Sequence, residues 1–154
     1  MNDILSINAG KSLVQNIGFE RAQEGESDIQ DRDVVVSGGK GLKRPETFRL
    51  LEELAALLGG GVGASRPVVE AKWIGYSHQV GLSGKVVAPK IYFAVGISGA
   101  VQHLAGMQTA GLVVAVNRDP EASIFRVADI GRCGDLIEVL PRLNERLRAE
   151  VKGR

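Results

Sequence analysis

Arg66, Gln79, Ser83, Ser98 and His103 lie in three glycine-punctuated loops, each beside an apolar strand-like run. The loops read GASRP over 63–67, HQVGLSGK over 78–85 and VGISGAVQHLAG over 95–106. Glycine turns alone satisfy the geometry of a small α/β domain. Loops that also carry Ser, Arg, Gln and His add hydrogen-bond donors and a cation, which suit an extended polar ligand lying across strand ends. In an open parallel sheet such ligands bind beyond the carboxyl ends of the strands. The segment AVGISGA over 94–100 has that form, with Ser98 predicted to cap a helix from Gly99 to Met107. Free N–H groups at such a start favour phosphate, and Gly96 and Gly99 would let backbone approach it. His103 follows Gly99 by four residues, on about the same helix face and one turn deeper.

Each of these residues also has a plainer role. A lone histidine on a helix more often packs than binds, Arg66 also reads as a surface arginine on a stiff turn, and Ser83 between glycines is turn chemistry. The dinucleotide fingerprint GxGxxG fails because Arg66 stands where the third glycine belongs after Gly61 and Gly63. The phosphate-loop pattern fails because Gly41 follows Lys40. Cys133 has no nearby His or Lys to activate it and reads as an inert thiol. Asp119-Pro120 reads as a turn, and Asp135 as a carboxylate at a helix start.

These loops need elements to hold them. Residues 1–32 are weakly patterned and end in a polar linker from Glu20 to Arg32; an ordered domain is expected from Asp33 to about residue 150. The β-branched run 33–37 suits a buried parallel strand. Pro45 and Glu46 suit a first helical turn, and Phe48, Leu51, Ala55 and Leu58 keep helical spacing until Gly59. Further strands are expected over 62–65, 86–87, 91–95, 112–116 and 124–127. The last helix carries Leu136, Leu140, Leu143 and Leu147 as an apolar stripe, and Pro141 is expected to kink or restart it. This alternation predicts an α/β fold, a parallel sheet with helices on both faces.

Composition sets the remaining bounds. The 154 residues suffice for one domain with its own core, and 44% hydrophobic with 24% charged residues is ordinary for a globular chain. Nineteen basic against eighteen acidic side chains leave no footprint for nucleic acid or an acidic membrane surface. One cysteine excludes an internal disulfide, and with only two histidines no familiar zinc cluster can form. No apolar run reaches membrane-spanning length and no secretion leader is legible, so a cytoplasmic location is the expectation.

Taken together, the loops resemble the C-terminal FAD-binding domain of the electron transfer flavoprotein alpha subunit. The matching pieces are VVSGGKGL over 35–42, VGASR over 62–66, QVGLSGK over 79–85, VGISGAVQHLAGM over 95–107 and NRDPEA over 117–122. IF over 124–125, VAD over 127–129 and GDL over 134–136 continue the match, which covers about residues 33 to 148. The resemblance implies a Rossmann-like domain, of the deoxyhypusine synthase-like NAD/FAD-binding group, with FAD held extended. Arg66 would lie against the isoalloxazine ring with Ser65 beside it. Gln79, Val80, Gly81, Leu82 and Ser83 would meet the ring and ribityl chain, with Ser83 near N5. Gly96, Ile97, Ser98, Gly99, Ala100 and Gln102 would surround the pyrophosphate. His103 would lie near the pyrimidine end of the ring, and Asn117 and Asp135 would hold the adenosine half.

That placement has a physical logic. A reduced flavin gathers negative charge around N1 and the C2 carbonyl, which a positive Arg66 and a donor at His103 would stabilise. The implied role is an electron carrier rather than an enzyme, moving electrons from flavin dehydrogenases such as acyl-CoA dehydrogenases to a downstream acceptor. A beta subunit would complete a heterodimer. This chain departs from the family loop QVGQTG at Leu82 and Ser83; Ser83 keeps the hydroxyl, whereas Leu82 removes an amide. Family alpha subunits also carry a further domain ahead of this one, where this sequence has residues 1–32. Leu82 and that difference leave open a non-redox module for NAD or an adenine nucleotide. An NAD enzyme of the deoxyhypusine synthase-like group is a third reading, for which no catalytic lysine or histidine can be nominated.

Overall fold

The computed structural model describes residues 28–154, so most of the expected extension lies outside the described residues. Ile29–Asp31 forms a 3-10 turn capped by the Asp28 carboxylate on the Gln30 N–H, and Ile29 is buried in the core. The packed body thus reaches back to residue 28.

Five parallel strands follow: β1 Val34–Gly38, β2 Gly61–Ala64, β3 Ile91–Val95, β4 Leu112–Asn117 and β5 Ile130–Cys133. Their spatial order is β2-β1-β3-β4-β5, a doubly wound sheet whose connections reverse direction between β1 and β3. β1 sits between two strands, pairing Val36 with Val62 on one side and with Phe93 on the other. A nearly unbroken run of valines fits that doubly covered position, because branched side chains pack well on both sides of a pleat.

One face of the sheet is closed by helices α1 Phe48–Leu58, α2 Arg66–Glu70 and α4 Leu136–Lys152. Phe48, Leu51, Leu54 and Ala55 of α1 and Leu136 and Leu140 of α4 pack there against Val36, Ala64, Val95 and Val116. Gly59 ends α1 in the left-handed conformation (φ 65°), and Asp135 starts α4 by accepting from the Ile137 N–H at 3.0 Å. Buried Asn144 of α4 donates to the Leu50 carbonyl and to Glu53, tying α4 to α1. α4 runs without interruption through Pro141, so the helix does not restart there. The carbonyl that Pro141 cannot bond belongs to Ile137, on the helix's exposed face, where water can replace the lost donor.

The other face is covered differently. Val35, Tyr92, Ala94, Val113 and Ala115 meet Val80, Val87, Ile97, Met107 and Ile124, most of them from loops. The helix here, α3 Val101–Leu104, is a single turn. Residues 123–126 form a 3-10 turn rather than the expected strand, and Val86-Val87 is not a strand either. Val87 instead buries its side chain while its N–H bonds the Gly106 carbonyl at 2.8 Å. β5 was not legible because every one of its residues is exposed. An edge strand of that kind lacks the apolar run by which buried strands are recognised.

Candidate functional site

The loops that leave β1, β2, β3 and β4 at their carboxyl ends enclose a cleft of about 630 Å³, centred on the reversal point between β1 and β3. That volume and position suit a small ligand or cofactor. Its floor is built by close backbone approach. Gly39 donates to the Val95 carbonyl and Gly41 to that of Gly96, joining the β1 and β3 loops. A side chain on Gly41 would come within 2.6 Å of the Gly96 Cα, so the junction requires glycine there.

The 79–85 loop docks onto this floor. Val80 extends β2 by donating to the Ala64 carbonyl, and the Leu82 N–H bonds the Gln102 carbonyl at 2.8 Å. Gly81 then lies so close to Gly106 that a Cβ on Gly106 would meet the Gly81 nitrogen at 2.4 Å. Gln79 is buried and donates from Nε2 to the Ser83 hydroxyl at 3.1 Å. Having accepted that bond, the Ser83 hydroxyl keeps its own hydrogen free to donate.

Of the residues singled out in the sequence, Ser65, Arg66, Val80, Gly81, Leu82, Ser83, Gly96, Ile97, Ser98, Ala100, Gln102, His103 and Asn117 line the cleft. Gln79, Gly99 and Asp135 do not line it: Gln79 holds Ser83, Gly99 is buried against Ile124, and Asp135 caps α4. Ser98 lines the cleft without capping a helix. Gly99 takes φ 90°, outside the helical region, so α3 starts at Val101 and Ala100 precedes it. The spacing of Gly99 and His103 along one helix therefore does not exist, and His103 reaches the wall from α3 alone.

This break leaves the backbone open. Among the described residues, the N–H groups of Ser98, Gly99 and Ala100 have no acceptor, while the Ser98 carbonyl takes the Ile124 N–H at 2.9 Å. Successive free N–H groups in a non-helical turn form a concave anion-binding surface. Asn117 braces the same loop, donating to the Ile97 carbonyl and accepting the Asp119 N–H.

Charge is unevenly distributed across the cleft. Lys40 lies on the β1 loop with Nζ 4.4 Å from the centre of the Trp73 ring, a cation–π contact. Arg66 opens α2 and donates from Nε to Glu70 at 2.7 Å, with its side chain still 62% exposed. Asp119 and Glu121 stand beyond β4, across the sheet from Arg66 beyond β2. Lys40, Gly41, Pro67, Asp119, Glu121, Ala122 and Ser123 are lining residues that the sequence did not nominate. The signal for Lys40 was its place directly after β1; for the others it was the adjacent Ser65-Arg66 and Asn117.

His103 is 6% exposed, and its Nε2 lies 2.8 Å from the hydroxyl of fully buried Tyr92. Burial lowers its pKa from 6.5 to about 4, with the Val80 backbone opposing weakly. Burial thus favours the neutral ring over the cation.

The family profile described as the electron transfer flavoprotein FAD-binding domain matches residues 28–108. The chain is 51% identical over 136 residues to the mitochondrial electron transfer flavoprotein subunit alpha of Dictyostelium discoideum, covering 86% of this chain and 38% of that protein. It is 52% identical over 120 residues to the alpha subunit of Thermoanaerobacterium thermosaccharolyticum, covering 78% and 36%. For the alpha subunit of Bacillus subtilis the identity is 50% over 121 residues, covering 79% and 37%. The chain thus spans well under half the length of these relatives.

Proposed function

The chain belongs to the electron transfer flavoprotein FAD-binding domain family, whose cofactor is FAD, and from that premise we propose that the cleft holds FAD and that the domain serves as an electron carrier. The observation that carries this reading is the row of N–H groups at Ser98, Gly99 and Ala100, free among the described residues and set beside the β1/β3 reversal point in a cleft that Lys40 and Arg66 also line. A pyrophosphate fits that row chemically: it is anionic, and the N–H groups need acceptors. Bound FAD supplies reversible uptake and release of electrons at its isoalloxazine ring.

The chain's own residues bind, orient and set the field. Arg66, steadied by Glu70, offers its remaining guanidinium donors beside Ser65. Ser83 presents a hydroxyl donor fixed by Gln79, and Lys40 adds positive charge near the phosphate-binding row. Asn117 keeps that row in place, with Gly96, Ile97 and Gln102 as its walls. Val80, Gly81 and Leu82 form the opposite wall, and Asp135 steadies the adenosine side from the start of α4. Residues 33–150 form the FAD-binding unit in this reading.

Leu82 is 72% and neighbouring Val101 79% exposed, apolar surface beside the mouth that supports a second protein subunit closing over the cleft. A beta subunit, with flavin dehydrogenases as electron donors, is the partner set proposed for the whole protein. No helix among the described residues is long and apolar enough to cross a membrane. The relatives give no support to a non-redox adenine-nucleotide module.

The visible absorption spectrum of the purified chain titrated with FAD tests the reading. Saturable binding with a perturbed flavin band is expected. Preference for ADP over FAD in competition would overturn it in favour of the nucleotide module.

A further inference from the structure

The cleft loop 79–86 is held at its two ends by different means. Its first half joins the body through backbone, Val80 donating to the Ala64 carbonyl and Leu82 to that of Gln102. Its stem closes on itself, with the Lys85 N–H on the Gln79 carbonyl and the Gly81 N–H on the Lys85 carbonyl. The far end meets the 3-10 turn at 29–31. There Lys85 Nζ donates to Asp28 Oδ1 at 2.9 Å, and Gln30 Nε2 donates to the Val86 carbonyl at 2.9 Å. Among the described residues, neither Lys85 Nζ nor the Val86 carbonyl has another hydrogen-bond partner.

We propose that this turn is a clamp on the cleft: Asp28 and Gln30 are positioning residues that hold the stem of the 79–86 loop, and with it the Ser83 hydroxyl.

The contacts form one unit. Asp28 Oδ1 also accepts the Gln30 N–H at 3.1 Å, so the carboxylate that holds Lys85 shapes the turn from which Gln30 reaches Val86. Between them Ile29 is buried in the same apolar cluster as Val80 and Val87, one in the loop and one just after it. That seating fixes the turn's backbone, which lowers the entropy lost in placing the two polar side chains. Exposure separates this pair from an ordinary surface pair. Lys85 and Asp28 are 28% and 39% exposed, against 78% and 72% for Lys90 and Asp33. A half-buried pair backed by a second hydrogen bond contributes more than an exposed one. The path to the cleft is short. Ser83 stands two residues before Lys85, its hydroxyl takes the Gln79 amide, and the Gln79 carbonyl takes the Lys85 N–H. A shift of Lys85 therefore acts on both sides of the Gln79–Ser83 bond. The consequence rests on the FAD reading of the site: the clamp serves the part of FAD that meets Ser83, not the phosphates at Ser98 to Ala100.

The experiment uses the full chain and two readouts. Without ligand, amide hydrogen exchange over residues 79–86 is expected to quicken about fivefold in Asp28→Ala/Gln30→Ala, with α1 and α4 unchanged. Unchanged exchange in the loop, or equal quickening throughout the chain, would overturn the clamp. With ligand, the double variant is expected to bind FAD about fivefold more weakly, while its Kd for ADP, which lacks the ring, stays the same. An unaltered Kd for FAD, or an equal loss for ADP, refutes the positioning role. Lys85→Met should reproduce the loss seen in Asp28→Ala and add nothing to it; additive losses would refute the pairing. Asp33→Ala, which breaks the exposed pair with Lys90, should alter neither readout, and a loss of FAD affinity as large as that of the double variant would also count against the clamp. Should the wild type take up no FAD, the cofactor reading fails, while the exchange rates still decide the clamp.

Discussion

The two faces of the sheet are built from the same strands but solve different problems. On one face the 11-residue α1 and the 17-residue α4 lay apolar stripes against Val36, Val95 and Val116, and their buried contacts are almost all apolar. On the other, Val35, Tyr92 and Ala115 are covered by loops and a single helical turn, and Ser37, Gln79 and His103 are buried among them. Long helices satisfy their own backbone internally. Loops cannot, and the N–H groups they leave free are what make a ligand site. The helical face supplies stability so that the loop face can carry unsatisfied polar groups, which are costly without a partner.

This contrast can be broken or sharpened by experiment. Leu140→Ala removes a fully buried side chain from the helical face and should lower unfolding stability by about 3 kcal/mol, read by chemical denaturation. FAD affinity of the remaining folded protein should not change; a loss of affinity would show that the faces are coupled. Gly41→Ala forces a methyl group to within 2.6 Å of the Gly96 Cα. Its expected cost is about 2 kcal/mol, with a clear loss of FAD binding in the same titration, because the two loops flooring the cleft must part.

Acid should act through the loop face. The His103 pKa is lowered in the folded chain from 6.5 to about 4, so between those values the unfolded chain binds a proton that the folded chain does not. Stability is therefore whole above pH 6.5 and falls as pH drops, by about 2 kcal/mol at pH 5. His103→Gln should flatten that part of the pH profile, and an equally steep profile in the variant would assign the loss to other groups. The smallest stability effect is expected for Arg66→Ala. Its ion pair with Glu70 is exposed, so stability should move by no more than about 0.5 kcal/mol. FAD affinity or flavin potential should nevertheless fall, and a change in neither would remove Arg66 from the site.

Legibility followed the same division. α1 and α4 were readable because amphipathic spacing is a local property, visible in Leu136, Leu140, Leu143 and Leu147 without knowing their neighbours. The four buried strands were readable from their apolar runs. On the loop face, local pattern misled: Ile124–Val127 looked like a strand because Ile124, Phe125 and Val127 make a short apolar run, yet Ile124 packs from a 3-10 turn. Ser98 looked like a cap because serine often is one, but Gly99 diverts the chain first. Lys40 went unnominated because its meeting with Trp73 joins residues far apart in the chain.

The amino-acid order by itself determined the alternating α/β architecture, the helical face and the identity of most cleft-lining residues. Those depend on periodicity and glycine placement over a few neighbouring positions. Only the tertiary structure decided which N–H groups are left free at Ser98 to Ala100, that Gln79 serves Ser83 rather than the cleft, and that Tyr92 stands behind His103. Each of these depends on parallel strand register and loop docking, which bring residues from separate βα units within hydrogen-bonding distance.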